Sequence, residues 1–421
     1  MDIGTISLVL LFGMVVLLAI GMPLGFASGF LAVVAMLLKF GPDVLFSNFG
    51  TGPLNLLGQR IYGITTSYVL VSVPLFIFMA NLLERSGIAR DMYNTLEAWM
   101  SRTRGGIAVV TALMAVVMAA MSGIIGGEVV LLGLIALPQM LRLGYDQNLA
   151  IGTICASGSL GTMIPPSIVL IFYGLITDTS IHALFQAAFI PGFILAACYI
   201  AYILIRANLN PALAPLPEPK DTDLTGRQKR IYGLALFAML VGVAAGIMAI
   251  RGVYLNVFDF VESDTRGVAR DFILMSLALF AACGAILWFG IGRVHSRAAW
   301  MSGKGMVVPL LIVFVVLGSI YGGITGITEA AGIGAMAVLI LIILRGEFAW
   351  SLLRDASLRT LKSTGTIMWV TIGATALAGA FTLSGGPTFV ANLIVGLELP
   401  TLGILLIMML FFLFMGAFMD W

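Results

Sequence analysis

Charge is the scarcest property of this sequence. Only 10% of its 421 residues are charged, whereas 60% are hydrophobic and the mean hydropathy is +1.09. Soluble domains are about one quarter charged and just under half apolar, so a soluble globular protein is excluded. The net charge of +2 is spread over loops and indicates no nucleic-acid partner.

Cysteine and histidine are nearly as scarce. Cys155, Cys198 and Cys283 are scattered through apolar segments without paired spacing, which predicts neither a disulfide framework nor a metal site. His182 and His295 lie in polar loops and are interpreted as ordinary loop residues. No Ser/His, His/Glu or Asp/Asp pair falls at predicted membrane depth. We therefore expect no enzyme, no catalytic residue and no cofactor.

Long apolar runs dominate instead, and several approach the roughly 20 residues that span a bilayer. They cover residues 6–20, 31–38, 70–83, 107–120, 236–250, 272–289, 307–317 and 402–414. The N-terminus lacks the basic region, short apolar core and cleavage site of a signal peptide, so we expect the first helix to be retained. The runs predict an all-α polytopic membrane protein, surrounded by membrane lipid and without a soluble domain.

The distribution of Lys and Arg predicts the orientation of these spans. By the positive-inside rule, the basic loops are cytoplasmic. They cover residues 85–104, the loop of Arg142, and residues 206–230, 293–304 and 345–362. Residues 251–270 are also basic, but they hold acidic and aromatic residues and lie one span from each neighbouring cytoplasmic loop. We place them outside.

Residues 105–141 form the first unusual segment. They must enter the membrane and return within 37 residues, slightly fewer than two full spans and a turn require. The midpoint, SGIIGGE at residues 122–128, is rich in glycine and holds a hydroxyl and a carboxylate. We predict a re-entrant hairpin with its tip near the membrane midplane. Two short complete helices with an external turn are the alternative.

Glu128, at this tip, is the most costly side chain of the region to place in a membrane. An intramembrane carboxylate indicates function by default. It could ligate a cation, carry a proton or pair with an arginine, and the sequence leaves these three roles open. We count it among the predicted substrate contacts.

The stretch GSLGTMIPPS, residues 158–167, interrupts the next apolar segment, residues 147–177. Neither half is long enough to cross a bilayer alone, but together they are. The two prolines remove backbone donors and stop a helix, and the glycines permit angles that expose carbonyl groups. We predict one discontinuous helix, broken at its middle. A simple kink filled by neighbouring helices is the alternative.

Neutral oxygen atoms are concentrated at this break. A broken helix persists in hydrocarbon only where protein, water or an ion satisfies the freed backbone groups. Neutral oxygens suit a hard monovalent cation such as Na⁺, and the half-helix that begins near Ser167 presents an N-terminus that suits an anion. The pattern therefore predicts a sodium-coupled carrier of anions. Its predicted sodium ligands are Ser157, Gly158, Ser159, Gly161, Thr162 and Pro165, and its predicted substrate contacts are Pro166 and Ser167.

The second half of the chain echoes the first. Residues 366–383 resemble residues 66–83 but run in the opposite direction across the membrane, which indicates inverted repeats and a secondary transporter. The tip Ser122-Gly123 aligns with Met415-Gly416. The echo predicts a second break near residues ~451–460, beyond Trp421. We therefore expect this sequence to be a C-terminal deletion.

Four stretches together resemble one known family. They are MSGIIGGEVVLLGLIALPQMLRLGY, GSLGTMIPPSIVLIFYG, SIHALFQAAFIPG and GSIYGGITGITEAAGIGA. They resemble the large membrane subunit of tripartite ATP-independent periplasmic (TRAP) transporters, the DctM-like family. The likeness covers about residues 1–210 and 305–421, in the order of the family.

The resemblance implies a sodium-driven importer of the bacterial inner membrane with an elevator-type motion, a member of the ion transporter superfamily. Na⁺ would be the coupling ion, and the solute would carry a carboxylate. Two partners are implied, a small four-helix membrane subunit and a periplasmic solute-binding protein. A sodium/dicarboxylate symporter that acts alone, or a truncated protein without transport, are the alternatives.

In such a transporter the first hairpin tip and the first break form one sodium site. The resemblance thus adds Ser122, Gly123, Gly126 and Gly127 as sodium ligands. Gly416 and Asp420, from the mirrored site, become further substrate contacts. The chain departs from the family pattern in having few hydroxyl residues after Ser122-Gly123, an insertion, and no Thr-Pro-Pro motif after the second hairpin.

The chain is accordingly predicted to have four segments. They are N-terminal scaffold helices (1–104), a first transport repeat with hairpin 105–141 and broken helix 147–177 (105–210), an insertion with two extra spans (211–304) and an incomplete second repeat (305–421).

Overall fold

The structure, a computed structural model, describes residues 2–42, 52–123, 125–216, 224–257, 266–396 and 400–418. All regular secondary structure in these ranges is helical, which confirms the all-α prediction. The helices are α1 Ile3–Ala19, α2 Leu24–Phe40, α3 Pro53–Thr65, α4 Ser72–Arg85, α5 Ile88–Met100, α6 Gly106–Ser122, α7 Ile125–Arg142, α8 Gln147–Gly158, α9 Leu160–Met163, α10 Ile168–Ile176, α11 Ile181–Leu209, α12 Gly226–Val257, α13 Arg266–Ala285, α14 Arg293–Tyr321, α15 Ile327–Leu344, α16 Trp350–Leu383, α17 Gly386–Val395 and α18 Thr401–Phe418.

Many of these helices have the length and composition of membrane spans. Among the described residues, seven helices meet both criteria, or up to eight if a bent pair counts as one span. The bent pair is Gln147–Met163 with Ile168–Ile176. Their number confirms a polytopic membrane protein.

One compact unit comprises Met1–Pro74, Phe172–Thr179 and Arg359–Trp421. Its core is an apolar cluster of α1, α2, α3 and α16, in which Leu31, Ala35 and Ala380 are buried. The buried residues of α2 recur every three or four positions, so that one face of the helix turns inward.

Glycine sets the distance between two helices of this unit. A Cβ atom on Gly373 would overlap the Gly25 carbonyl group and the Ser28 hydroxyl. A Cβ atom on Gly25 would lie 3.0 Å from the Trp369 carbonyl oxygen. α2 and α16 therefore pack backbone to backbone, as small residues allow helices to do in membranes.

The second compact unit comprises Leu75–Ile171 and Ser180–Leu358. Its centre is α6, which packs against α5, α7, α8, α9, α11 and α14. Ala108, Ala112, Ala115 and Ala119 are all buried, and their small side chains let neighbouring helices surround α6. Every residue of α6 whose burial is described is buried or half-buried, so the helix has no exposed face.

The two helices of the predicted insertion belong to this second unit. α12 and α13 pack against each other, and α12 also packs against α14. The indole Nε1 of Trp99, on α5, donates to the Ser302 carbonyl oxygen at 3.4 Å. α14 thus lies against both the insertion and α5. The division of the chain into four segments at residues 104, 210 and 304 stays a prediction.

Two predicted cytoplasmic loops, residues 85–104 and 345–362, meet in this unit. Arg345 donates to Asp91 and, at 2.9 Å, to Glu347, and Arg85 lies 3.6 Å from Asp355. The carboxylates raise the pKa of Arg345. Ion pairs this exposed contribute little stability. These ion pairs show, however, that both loops lie at one end of the unit, as expected for two loops on the same side of a membrane.

The close approach of α2 and α16 predicts opposite effects for two glycines of one helix. Gly373→Ala should lower the stability by ~1–3 kcal/mol, the usual range for overpacking. Gly365→Ala should be neutral or stabilising by up to ~1 kcal/mol, because alanine favours helices and no described atom lies within 4 Å of the new Cβ. The midpoint of thermal unfolding in detergent measures both. Equal midpoints for the two variants would contradict the close packing.

Candidate functional site

The predicted broken helix is discontinuous in the structure. The carboxylate of Asp146 caps the start of α8 by accepting from the Leu149 N–H at 2.9 Å. α8 ends at Gly158, the single turn α9 ends at Met163, and Ile164 is extended with φ −86° and ψ 122°. The chain resumes as α10 only after the two prolines, which cannot donate the hydrogen bonds that a continuous helix requires.

The hairpin tip lies directly on this break. Gly123 caps the C-terminal end of α6 with a φ of +61°, and its N–H donates to the Ala119 carbonyl oxygen at 3.2 Å. A Cβ atom at Gly123 would meet the Pro166 carbonyl oxygen and would lie 3.2 Å from the Ile168 nitrogen. Both the positive φ and the lack of space require glycine here. Backbone therefore contacts backbone between the tip and the break.

The other arm of the hairpin also contacts the broken helix. A Cβ atom at Gly158 would overlap the Val129 side chain and lie 3.7 Å from its Cα. The start of α7 thus packs against the end of α8, while the end of α6 packs against the start of α10. A Cβ atom at Gly127 would lie 3.8 Å from Oε2 of Glu84, on α4, so a second carboxylate approaches the tip.

The hydroxyl groups of the break fall into two kinds. Ser159 donates to the Ala156 carbonyl oxygen at 2.8 Å, and Thr162 donates to the Ser159 carbonyl oxygen at 3.0 Å. Ser157 and Ser167 are 1% and 0% exposed, and their Oγ atoms have no hydrogen-bond partner among the residues that the structure describes. A buried polar group without a partner is destabilising by ~1–3 kcal/mol. A ligand that contacts these two oxygens would remove that penalty.

Glu128 is 2% exposed and lies in the first turn of α7. The N-terminus of a helix stabilises a negative charge. Its position next to the tip is compatible with a cation ligand, a proton carrier or a partner of an arginine. Its assignment as a substrate contact stays a prediction.

The remaining predicted residues of this unit lie in the break or at the hairpin tip. Gly161, Pro165 and Pro166 are buried in the break itself. Ser122 ends α6 and Gly126 lies in the first turn of α7, and their surroundings are outside the described part. All of these assignments stay predictions.

The mirrored residues lie in or beyond α18, in the other unit. Asp420 is outside the described residues, and α18 remains helical through Gly416 to Phe418. The alignment with Ser122-Gly123 makes residues 415–416 the candidate second tip, and this assignment stays a prediction. A lone glycine weakens a helix by only ~1 kcal/mol and does not end it.

Two side chains near the site were not predicted from sequence. Glu84 approaches Gly127, and the Tyr199 hydroxyl on α11 lies 3.4 Å from the Ser159 hydroxyl. Glu84 could have been predicted from the sequence, because it is a carboxylate that directly follows an apolar run. Tyr199 is 40 residues from its partner, and no local pattern indicates that contact.

Comparison with known proteins identifies the family. A family model described as the tripartite ATP-independent periplasmic transporter, DctM component, matches residues 11–421. The C4-dicarboxylate TRAP transporter large permease protein DctM of Pseudomonas aeruginosa is 28% identical over 303 residues, 67% of this chain and 68% of that protein. The ectoine TRAP transporter large permease protein TeaC of Halomonas elongata is 26% identical over 78% of this chain and 73% of its own length.

A third relative is about twice as long as the region that this chain matches. The isethionate TRAP transporter permease protein DctMQ of Oleidesulfovibrio alaskensis is 23% identical over 96% of this chain but only 50% of its own length. Members of this family are permeases rather than enzymes. Because the family model covers all but the first ten residues, this chain belongs to the DctM component family of the TRAP transporters.

Proposed function

We propose that this chain is the large permease subunit of a sodium-driven TRAP transporter that imports an organic acid across the bacterial inner membrane. A periplasmic binding protein would deliver the solute, and a four-helix small subunit would complete the complex. The names of the relatives refer to C4-dicarboxylates, ectoine and isethionate. Each of these solutes carries a carboxylate or sulfonate group, which supports an acidic organic solute.

The contact between Gly123 and residues 166–168 is the observation that carries the proposal. It joins a hairpin tip to a broken helix at Ser167, which buries a hydroxyl oxygen without a described partner. Ser157, near the end of α8, buries another such oxygen. Neutral hydroxyl and carbonyl oxygens at a helix break are the usual ligands of Na⁺ in secondary transporters. A sodium ion at this place would satisfy groups that the protein alone leaves unsatisfied.

The start of α10 supports an anionic solute. Its first backbone N–H groups follow Ser167 directly, and an N-terminus of a half-helix attracts a carboxylate. Sodium bound at the break would keep these N–H groups in position for the solute. Movement of the sodium-loaded site across the membrane would then release both ligands inside.

The first test of this proposal concerns the two buried hydroxyls. Ser157→Ala and Ser167→Ala should each raise the sodium concentration for half-maximal effect about tenfold or more, because a contact with a charged group contributes ~1.5–3 kcal/mol. The quantity measured is the midpoint of thermal unfolding of the purified permease, which bound sodium should raise. NaCl replaces KCl stepwise, so that the ionic strength stays constant. This measurement requires no knowledge of the solute.

Ser319→Ala is the matched control for that experiment. Ser319 is also buried, but it lies on α14, and its hydroxyl donates to the Val316 carbonyl oxygen at 2.8 Å. Ser159→Ala and Thr162→Ala complete the series, because their hydroxyls donate to backbone carbonyl groups and their oxygen atoms can still accept a cation. Unchanged sodium dependence in all four break variants would place the sodium site elsewhere. Uptake of succinate by proteoliposomes of the complete complex then tests the coupling.

The second prediction concerns the glycine at the tip. Gly123→Ala should abolish the sodium-dependent rise in the unfolding midpoint, because the new Cβ displaces the tip from the Pro166 carbonyl group. Gly144→Ala controls for backbone strain, since Gly144 also has a positive φ, +77°, but its Cβ would meet only Pro215 Cγ, at 3.7 Å. This control should lose ~1–2 kcal/mol of stability and keep its response to sodium. An equal sodium response in both variants would refute the role of the contact.

A further inference from the structure

A groove of about 230 Å³ lies between α8 and α11, within the second unit. On α8 it is lined at positions 149, 152, 153, 156 and 157, which form one face of the helix. On α11 it is lined at positions 199, 202, 203 and 206, again one face. The groove exists because Gly152 and Ala156 have side chains too small to fill the space between the helices.

The groove connects the start of α8 with the break. Asp146 and Ser157 both line it and are eleven residues apart, or ~16 Å along a helix. At Asp146 the chain is held in place, because its N–H donates to the Leu213 carbonyl oxygen at 2.9 Å. At the other end, Ser157 is followed directly by Gly158, which packs against Val129 of the hairpin.

The dimensions and the lining favour water over a lipid chain. A volume of about 230 Å³ is large enough for several water molecules, and the groove extends ~16 Å along the helix. Apolar atoms supply most of the lining, but side chains with polar groups occur along the whole length, from Asp146 and Arg206 through Thr153 and Tyr199 to Ser157. A lipid acyl chain would leave these polar groups without partners.

The charged end of the groove lies at the loops that the positive-inside rule assigns to the cytoplasm. Arg206, on the last turns of α11, and Asp146, directly after the loop of Arg142, both line this end. Ser157, by contrast, has a buried hydroxyl in the predicted sodium site.

We propose that this groove is a water-filled route by which the sodium ion at the break exchanges with the cytoplasm, with Ser157 as the residue shared by site and route. The inference rests on the proposed sodium site. It adds the direction and the lining of the ion's path, which runs along α8 and α11.

Cysteine accessibility tests this route. Ala156→Cys, in a background where Cys155, Cys198 and Cys283 are replaced by serine, places a thiol in the groove. The natural Cys155 is the control, because it is exposed on another face of α8 and does not line the groove. Inside-out vesicles are treated with a membrane-impermeant, positively charged methanethiosulfonate. Ala156→Cys should react about tenfold faster than Cys155, because a reactive thiolate forms in water rather than in lipid.

Sodium provides the second readout. Saturating NaCl, compared with KCl, should slow the modification of Ala156→Cys about threefold, because the bound ion occupies the adjacent Ser157. Thr153→Cys, one turn nearer the charged end, gives a second thiol in the groove if Ala156→Cys does not fold. Monodispersity in gel filtration checks folding.

The outcomes separate the route from the sodium site. If both groove thiols react no faster than Cys155 while Ser157→Ala still shifts the sodium dependence, the route is wrong and the proposed function stands. If the thiols react fast but sodium gives no protection, the groove contains water but carries no sodium, and the inference fails. Fast reaction with protection by sodium supports it.

Discussion

A helix that breaks inside a membrane needs partners for the backbone groups that the break releases, and the rest of this structure depends on that requirement. The hairpin tip meets it at Gly123, whose backbone touches the Pro166–Ile168 backbone. The hairpin can reach this point because α6 is surrounded by helices of its own unit and is lined by alanine. Packing of an apolar helix thereby positions a polar site.

Small residues make the close contacts throughout the chain. Gly25 and Gly373 bring α2 and α16 together in one unit, and in the other a Cβ atom on Gly334 would lie 2.6 Å from Met79 Sδ. Lipid tails are as apolar as leucine, so helices in a membrane gain little from hydrophobic burial and associate through close van der Waals contact. Glycine permits that contact, and the same property makes Gly123 and Gly158 suitable at the break.

The proposed site and route share one physical basis. Where a helix is interrupted, polar groups are left without partners, and an ion or water can occupy the place. Ser157 lies in the last turn of α8, next to the break, and also lines the groove, so an ion bound to its hydroxyl would lie at the end of the path. The hairpin contacts the break at Gly158 and at Ser167, so the broken helix is covered by protein at both of these points.

Much of the fold was determined by local sequence. Apolar run length predicts the spans, and the prolines at residues 165–166 predict where a helix must stop, because ring geometry and the missing donor act within a single turn. The tip at residues 122–128 was likewise predicted from its glycines. The aligned residues 415–416 lie within α18, and their assignment as a second tip stays a prediction.

Only the tertiary structure decided which polar groups are satisfied. In the sequence, nothing distinguishes the four hydroxyl residues of this stretch from one another. In the structure, Ser159 and Thr162 donate to nearby carbonyl groups, whereas Ser157 and Ser167 are buried without described partners. That difference depends on the direction in which each side chain points and on residues far away in sequence. The sequence alone therefore determined that a helix breaks here and which polar atoms are present, while the packing of α6, α7 and α11 decided which of these atoms are buried without a described partner.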